Sequence, residues 1–203
     1  MALKDLLVCV DQTENSVVRL RLAVDLAIRN DSRLTAIFVR ELNRAEASME
    51  AVAERSRSTL EALTRGHNLV AEMQCVDGVA SVVVPQHARY ADLCILGQDR
   101  PEGPSSVDYT FAEQLLFVTG RPVLFVPPVG SLETLGRHIV VAWHSSRPAA
   151  RSVNDALPLI EQAERTTVLM FNPSATIDRH GGCRESALSR ISGGTGPRLT
   201  RSY

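Results

Sequence analysis

Hydrophobic positions along this chain follow two alternating rhythms. Leu6 to Val10 and Leu34 to Val39 are near-continuous apolar runs, the signature of strands covered on both faces. Between them, Val17, Leu20, Val24 and Ala27 recur at helical spacing, with Thr13 placed to cap the helix. A longer helix is predicted from Ala45 to Arg65, stopped by Gly66, and a weaker strand from Val70 to Val76. Val79 to Arg89 reads as a short helix that Pro85 kinks or shortens. Leu93 to Leu96 is a fourth strand ending at Gly97, followed by a Gly-, Pro- and Ser-rich loop from Gln98 to Ser106. Thr110 and Glu113 have capping-box spacing, Gly120 stops the helix they begin, and Pro122 to Val126 is a fifth strand.

The opening of this pattern occurs twice. Lys4 to Val39 and Arg137 to Asn172 align without a gap, each reading as strand, helix, strand. A repeat at domain scale implies one whole domain followed by the start of another. Alternating strands and helices predict an α/β fold: a five-stranded parallel sheet with helices on both faces, then a partial second β-α-β unit. The expected organisation is a complete domain over 1–128, a Gly-containing linker over 129–136, and a partial domain over 137–172. Residues 173–203 hold five Arg against Asp178 and Glu185, with only isolated apolar residues, and read as a disordered tail.

In such sheets ligands sit outside the carboxyl ends of the strands, where strand order reverses. That places a candidate site at Asp11, at Val39 where the second strand ends, and in the loop after Gly97.

Composition narrows the function classes. The chain has 203 residues, 44% apolar and 22% charged, with a formal net charge of −1, so no global basic field recruits nucleic acid or anionic lipid. No apolar run approaches the ~20 residues of a membrane span, and the chain begins directly in a strand without a charged-then-apolar leader. Cys9, Cys75, Cys94 and Cys183 are scattered without CxxC spacing and read as reduced thiols, which points to the cytoplasm.

Four segments carry a family resemblance: the strand ending in Asp11, ADLCILGQ at Ala91 to Gln98, GRPVLFVP at Gly120 to Pro127, and VVAWHSSRPAARSV at Val140 to Val153. Together they resemble the universal stress proteins, specifically the tandem-domain type, from Lys4 to about Asn172. The resemblance implies a cytosolic stress-response role and a homodimer formed through the last strand, Pro122 to Val126. In one subclass it also implies ATP bound between the first strand and the glycine loop.

That subclass carries Gly-x2-Gly-x9-Gly-Ser/Thr, and here only Gly97 and the hydroxyl of Thr110 match. Arg100 takes the second position and Tyr109 the third, and the loop is one residue short. Gly103, Ser105, Ser106 and the first amides of the next helix remain able to hold an anion, with Arg100 adding charge. The alternative is a surface loop in which Thr110 only caps. The cofactor-binding candidates are therefore Asp11, Val39, Gly97, Arg100, Gly103, Ser105, Ser106 and Thr110, for ATP or ADP as an optional ligand.

Other chemistry is weaker. His144 replaces Asp11 in the second copy, and His144, Ser145, Ser146 and Asp155 lack the nucleophile elbow of a hydrolase. His180 and Cys183 are two metal ligands where four are usual. The expectation is a binding or regulatory module with weak or no nucleotide affinity, not an enzyme. It takes no required cofactor, metal or membrane, and nucleic acid is disfavoured. The alternative is an ATP- or ADP-binding protein with slow hydrolysis.

Overall fold

A computed structural model describes residues 2–41, 46–98, 109–128, 134–170 and 198–202. The chain divides into two compact units between Thr134 and Leu135.

The first unit runs β1 (Asp5–Val10), α1 (Ser16–Asn30), β2 (Arg33–Arg40), α2 (Glu46–Thr64), β3 (Ala71–Asp77), α3 (Ala80–Ala88), β4 (Leu93–Gly97), α4 (Tyr109–Thr119) and β5 (Val123–Val126). Its five strands form one sheet in the order β3-β2-β1-β4-β5, with every pairing parallel. The chain builds outward from β1 to β3, then returns to place β4 on the other side of β1. Strand order therefore reverses between β1 and β4, which is where such sheets open a crevice.

The two-residue period of the strands sorts their side chains between two cores. Leu6, Val8 and Val10 alternate with Leu7 and Cys9 along β1. Leu6, Leu20, Phe38 and Ile95 are each no more than 2% exposed, a burial worth about 1.5–3 kcal/mol per side chain. On the other face, Leu7, Ile37, Cys94 and Leu96 meet Val83, Val84 and Ala88 of α3 and Leu115 of α4. Helix α3 has nine residues, with Pro85 inside it. Gly120 ends α4 with φ +62, a left-handed stop that glycine takes without steric cost.

One local expectation is corrected. Thr13 does not cap α1: the N-cap is Asn15, whose side chain makes no capping bond. Thr13 is engaged with Asp11 instead, which delays the helix to Ser16.

The second unit contains β6 (His138–Trp143), α5 (Arg147–Gln162), β7 (Arg165–Met170) and β8 (Arg198–Ser202), with sheet order β6-β7-β8, all parallel. Ile139, Val141 and Trp143 are half-buried and alternate with exposed His138, Val140 and Ala142. Helix α5 starts on Ser146, whose hydroxyl accepts from the Ala149 amide at 3.4 Å, with Pro148 in its first turn.

Two expectations change here. The disordered tail does not hold at 198–202, because β8 pairs along β7 just as β3 pairs along β2. Its backbone ladder is satisfied despite the polar sequence Arg-Leu-Thr-Arg-Ser. Residues 171–197 and 203 lie outside the described residues. Nor is the repeat gapless. Asp5 faces Arg33 in the first unit, and a gapless repeat would set His138 against Thr166, but His138 faces Arg165. The residue is lost before the exit, since two residues follow each helix. The entry from strand to helix is five residues long in the first unit and three in the second, and α5 is 16 residues against 15 for α1. Helix α1 leaves through Asp31 in the left-handed conformation, whereas α5 leaves through Ala163 in an extended one.

Candidate functional site

Strand β1 runs straight into Asp11, so its carboxylate stands at the carboxyl edge of the sheet beside the β1–β4 reversal. The sequence turns immediately. Asp11 Oδ1 accepts from the Thr13 amide at 2.8 Å and from the Thr13 hydroxyl, and the Ser16 hydroxyl accepts from the Asp11 amide at 3.3 Å. Asn15 then ties this turn to the end of β5 by donating to the Pro128 carbonyl at 2.9 Å.

The other oxygen of Asp11 meets a residue that the sequence reading overlooked. Arg19 projects from the first turns of α1, its side chain only 2% exposed, and its guanidinium is hydrogen-bonded and ion-paired to Asp11 Oδ2. Its Nε donates to the Cys9 carbonyl at 3.2 Å. The signal was present in the helical period: Ser16, Arg19, Leu20, Ala23, Val24 and Ala27 form the buried stripe of α1. A cation within an apolar stripe, a few residues after a strand-end acid, announces a buried ion pair, because an unpaired one would be too costly.

Gly97, at the end of β4, completes the arrangement. A Cβ built there would lie 2.1 Å from Arg19 Nη1 and 2.9 Å from Cζ. The Arg19 guanidinium lies against the bare Cα and would have to shift to admit a side chain there. Asp11 and Gly97, both expected from sequence, are brought together through Arg19. Val39 is placed differently: it is part-buried against the core on the α3 and α4 face. Arg100, Gly103, Ser105 and Ser106 lie outside the described residues. Thr110 is in the first turn of α4, and its side chain lies outside them too. At the β2–β3 side the rim is Arg40, which pairs with Asp77 at 2.8 Å and Glu50 at 3.5 Å.

Beneath this edge sits a thiol pair. Leu7 faces Cys94 across the β1–β4 ladder, so Cys9 lies diagonally from Cys94 on the same face. Cys9 is held well above the ordinary thiol range, first by its hydrogen bond with Cys94 and then by burial; the charge of Cys94 and that of Asp11 add to this, and Arg19 opposes it. A thiol so held stays neutral and unreactive.

The second unit does not reproduce the site. His144 is exposed, and its carbonyl accepts from the Ser146 amide at 2.7 Å. Asp155, 8% exposed, accepts from Arg151 Nε at 3.0 and 2.8 Å, so a hydrolytic triad with His144 has no free acid. Among the described residues no group of three His, Cys, Asp or Glu side chains is arranged to hold a metal ion, and no helix is long and apolar enough to cross a membrane.

Comparison with solved structures returns universal stress proteins. One from Archaeoglobus fulgidus matches with a TM-score of 0.67 at 14% identity, over 97% of this chain and 75% of that one. The universal stress protein UspA from Lactobacillus plantarum matches with a TM-score of 0.51 at 16% identity, over 62% of this chain and 99% of its own. A universal stress protein in complex with cAMP matches with a TM-score of 0.50 at 17% identity, over 63% of this chain and 98% of its own. No family model and no curated protein matches the sequence. At these identities the likeness establishes the fold.

Proposed function

We propose that this chain, whose fold is that of the universal stress proteins, is a cytoplasmic stress-response module that binds and regulates and does not catalyse. It holds nucleotide weakly or not at all, and it assembles as a homodimer through β5. The observation that carries this reading is the state of Asp11. One oxygen accepts twice from Thr13 and the other accepts from Arg19, so a nucleoside donor would have to share an oxygen already bound to a buried cation or push that cation aside. Displacing Arg19 leaves a buried charge without its partner, which costs more than one ligand hydrogen bond returns.

A second reading, ATP or ADP binding with slow hydrolysis, is favoured by the cAMP complex of the structural neighbour. Calorimetric titration of the purified protein with ATP and ADP in the presence of Mg²⁺ separates the two. Dissociation constants weaker than ~10 μM, about −7 kcal/mol, are expected. Tighter binding selects the second reading.

A further inference from the structure

We infer that Arg19 is the residue that decides which ligands the β1–β4 crevice accepts, and that it excludes nucleosides by occupying the crevice itself. This rests on reading the chain as a module with little nucleotide affinity, and it assigns that property to one side chain rather than to the loop. Three observations converge. Arg19 is a cation with a side chain 2% exposed, emerging on the apolar stripe of α1. Its guanidinium spans from the Asp11 carboxylate to the Cα of Gly97, the two strand ends that flank the reversal of strand order. Its Nε is fixed by the Cys9 carbonyl, so the side chain is anchored at both ends of its fork.

Glycine at a strand end normally lets a ligand come close to the backbone. Here that space is filled from within, by a planar group that also neutralises the neighbouring acid. A nucleoside needs the opposite surroundings: an open floor over Gly97, and an acidic oxygen free to accept from the sugar hydroxyls. Removing the guanidinium creates both at once. The loop glycines absent at Arg100 and Tyr109 govern how closely phosphates approach, which is a separate requirement, so adenosine as well as ATP must respond.

The test is calorimetry of adenosine and of ATP with Mg²⁺ against the wild-type chain, Arg19→Ala and Arg19→Met, each checked for native circular dichroism. Arg19→Met keeps the aliphatic part of the side chain and carries the test should the alanine variant fail to fold. At least a tenfold gain in adenosine affinity over wild type is expected in the folded variant. That gain should disappear when Asp11→Ala is added, because the freed acceptor supplies it. Unchanged adenosine affinity in a folded variant overturns the inference. So does a loss of binding, which would make Arg19 a ligand-holding group. Tight ATP binding by the wild-type chain would overturn only the functional reading above; the comparison between variant and wild type still decides the role of Arg19.

Discussion

Cys9 illustrates how a single side chain makes stability depend on pH. Its folded thiol is held above the ordinary range by the Cys94 hydrogen bond and by burial. Below about pH 8.5 the thiol is neutral in both folded and unfolded chains, and its contribution is fully present. Above that, the unfolded chain releases a proton that the folded chain keeps, so stability falls as pH rises. Each pH unit costs at most ~1.4 kcal/mol for one thiol. Denaturant midpoints at pH 7.5, 9 and 10 should therefore drop more steeply for wild type than for Cys9→Ala; parallel curves would show that Cys9 ionises equally well in the folded chain. The residues of the site differed in how clearly the sequence disclosed them. Asp11 was visible because it terminates an unbroken apolar run, and Gly97 because it terminates another. Arg19 was hidden because the helix was read from its apolar members alone, Val17, Leu20, Val24 and Ala27. The charged member of the same stripe carried the information about what Asp11 does.

At the scale of elements, the strands and helices were legible to within a residue or two, since each follows from a period that burial enforces. The helix exits were not legible, because they depend on one backbone angle that no hydrophobic pattern records. Asp31 sits at φ +51, the only non-glycine residue with positive φ among the described residues. Its amide closes the helix against the Ala27 and Ile28 carbonyls. Its ion pair with Lys4, at 3.4 Å with the Asp31 side chain 92% exposed, adds little. Asp31→Gly should raise stability by about 0.5 kcal/mol, the relief of left-handed strain less the entropy glycine adds to the unfolded chain. Asp31→Val should lower it by about 1–2 kcal/mol, because a β-branched side chain fits that conformation badly. Chemical denaturation of both variants checks this, and equal midpoints would show that the turn tolerates any residue. β8 was missed for a different reason. Its sequence is polar, and its pairing with β7 comes from backbone groups that composition does not reveal.

At the scale of the whole molecule, the five-stranded sheet has two edge strands, β3 and β5, and edges with unpaired backbone groups seek partners. The Pro122 and Val126 carbonyls accept from the Cys94 and Gln98 amides, so the alternate residues Val123 and Phe125 aim their N–H and C=O groups away from β4. Light scattering at tens of micromolar should give the mass of a dimer. Val123→Pro, which removes an outward donor and leaves the β4 ladder whole, should give a monomer. A folded wild-type chain of monomeric mass counts against assembly through this edge. Finally, the residue missing between β6 and the end of α5 restricts how the two halves can be recombined. A chimera joined in the middle of α1 and α5 by gapless alignment would deliver the following strand one position early. Because strand side chains alternate, that single step turns every one of them over, sending Leu169 rather than Val168 into the place of Ala36. Only a crossover that carries entry, helix and strand together keeps the faces, so the interchangeable part of this protein is the whole β-α-β unit and nothing smaller.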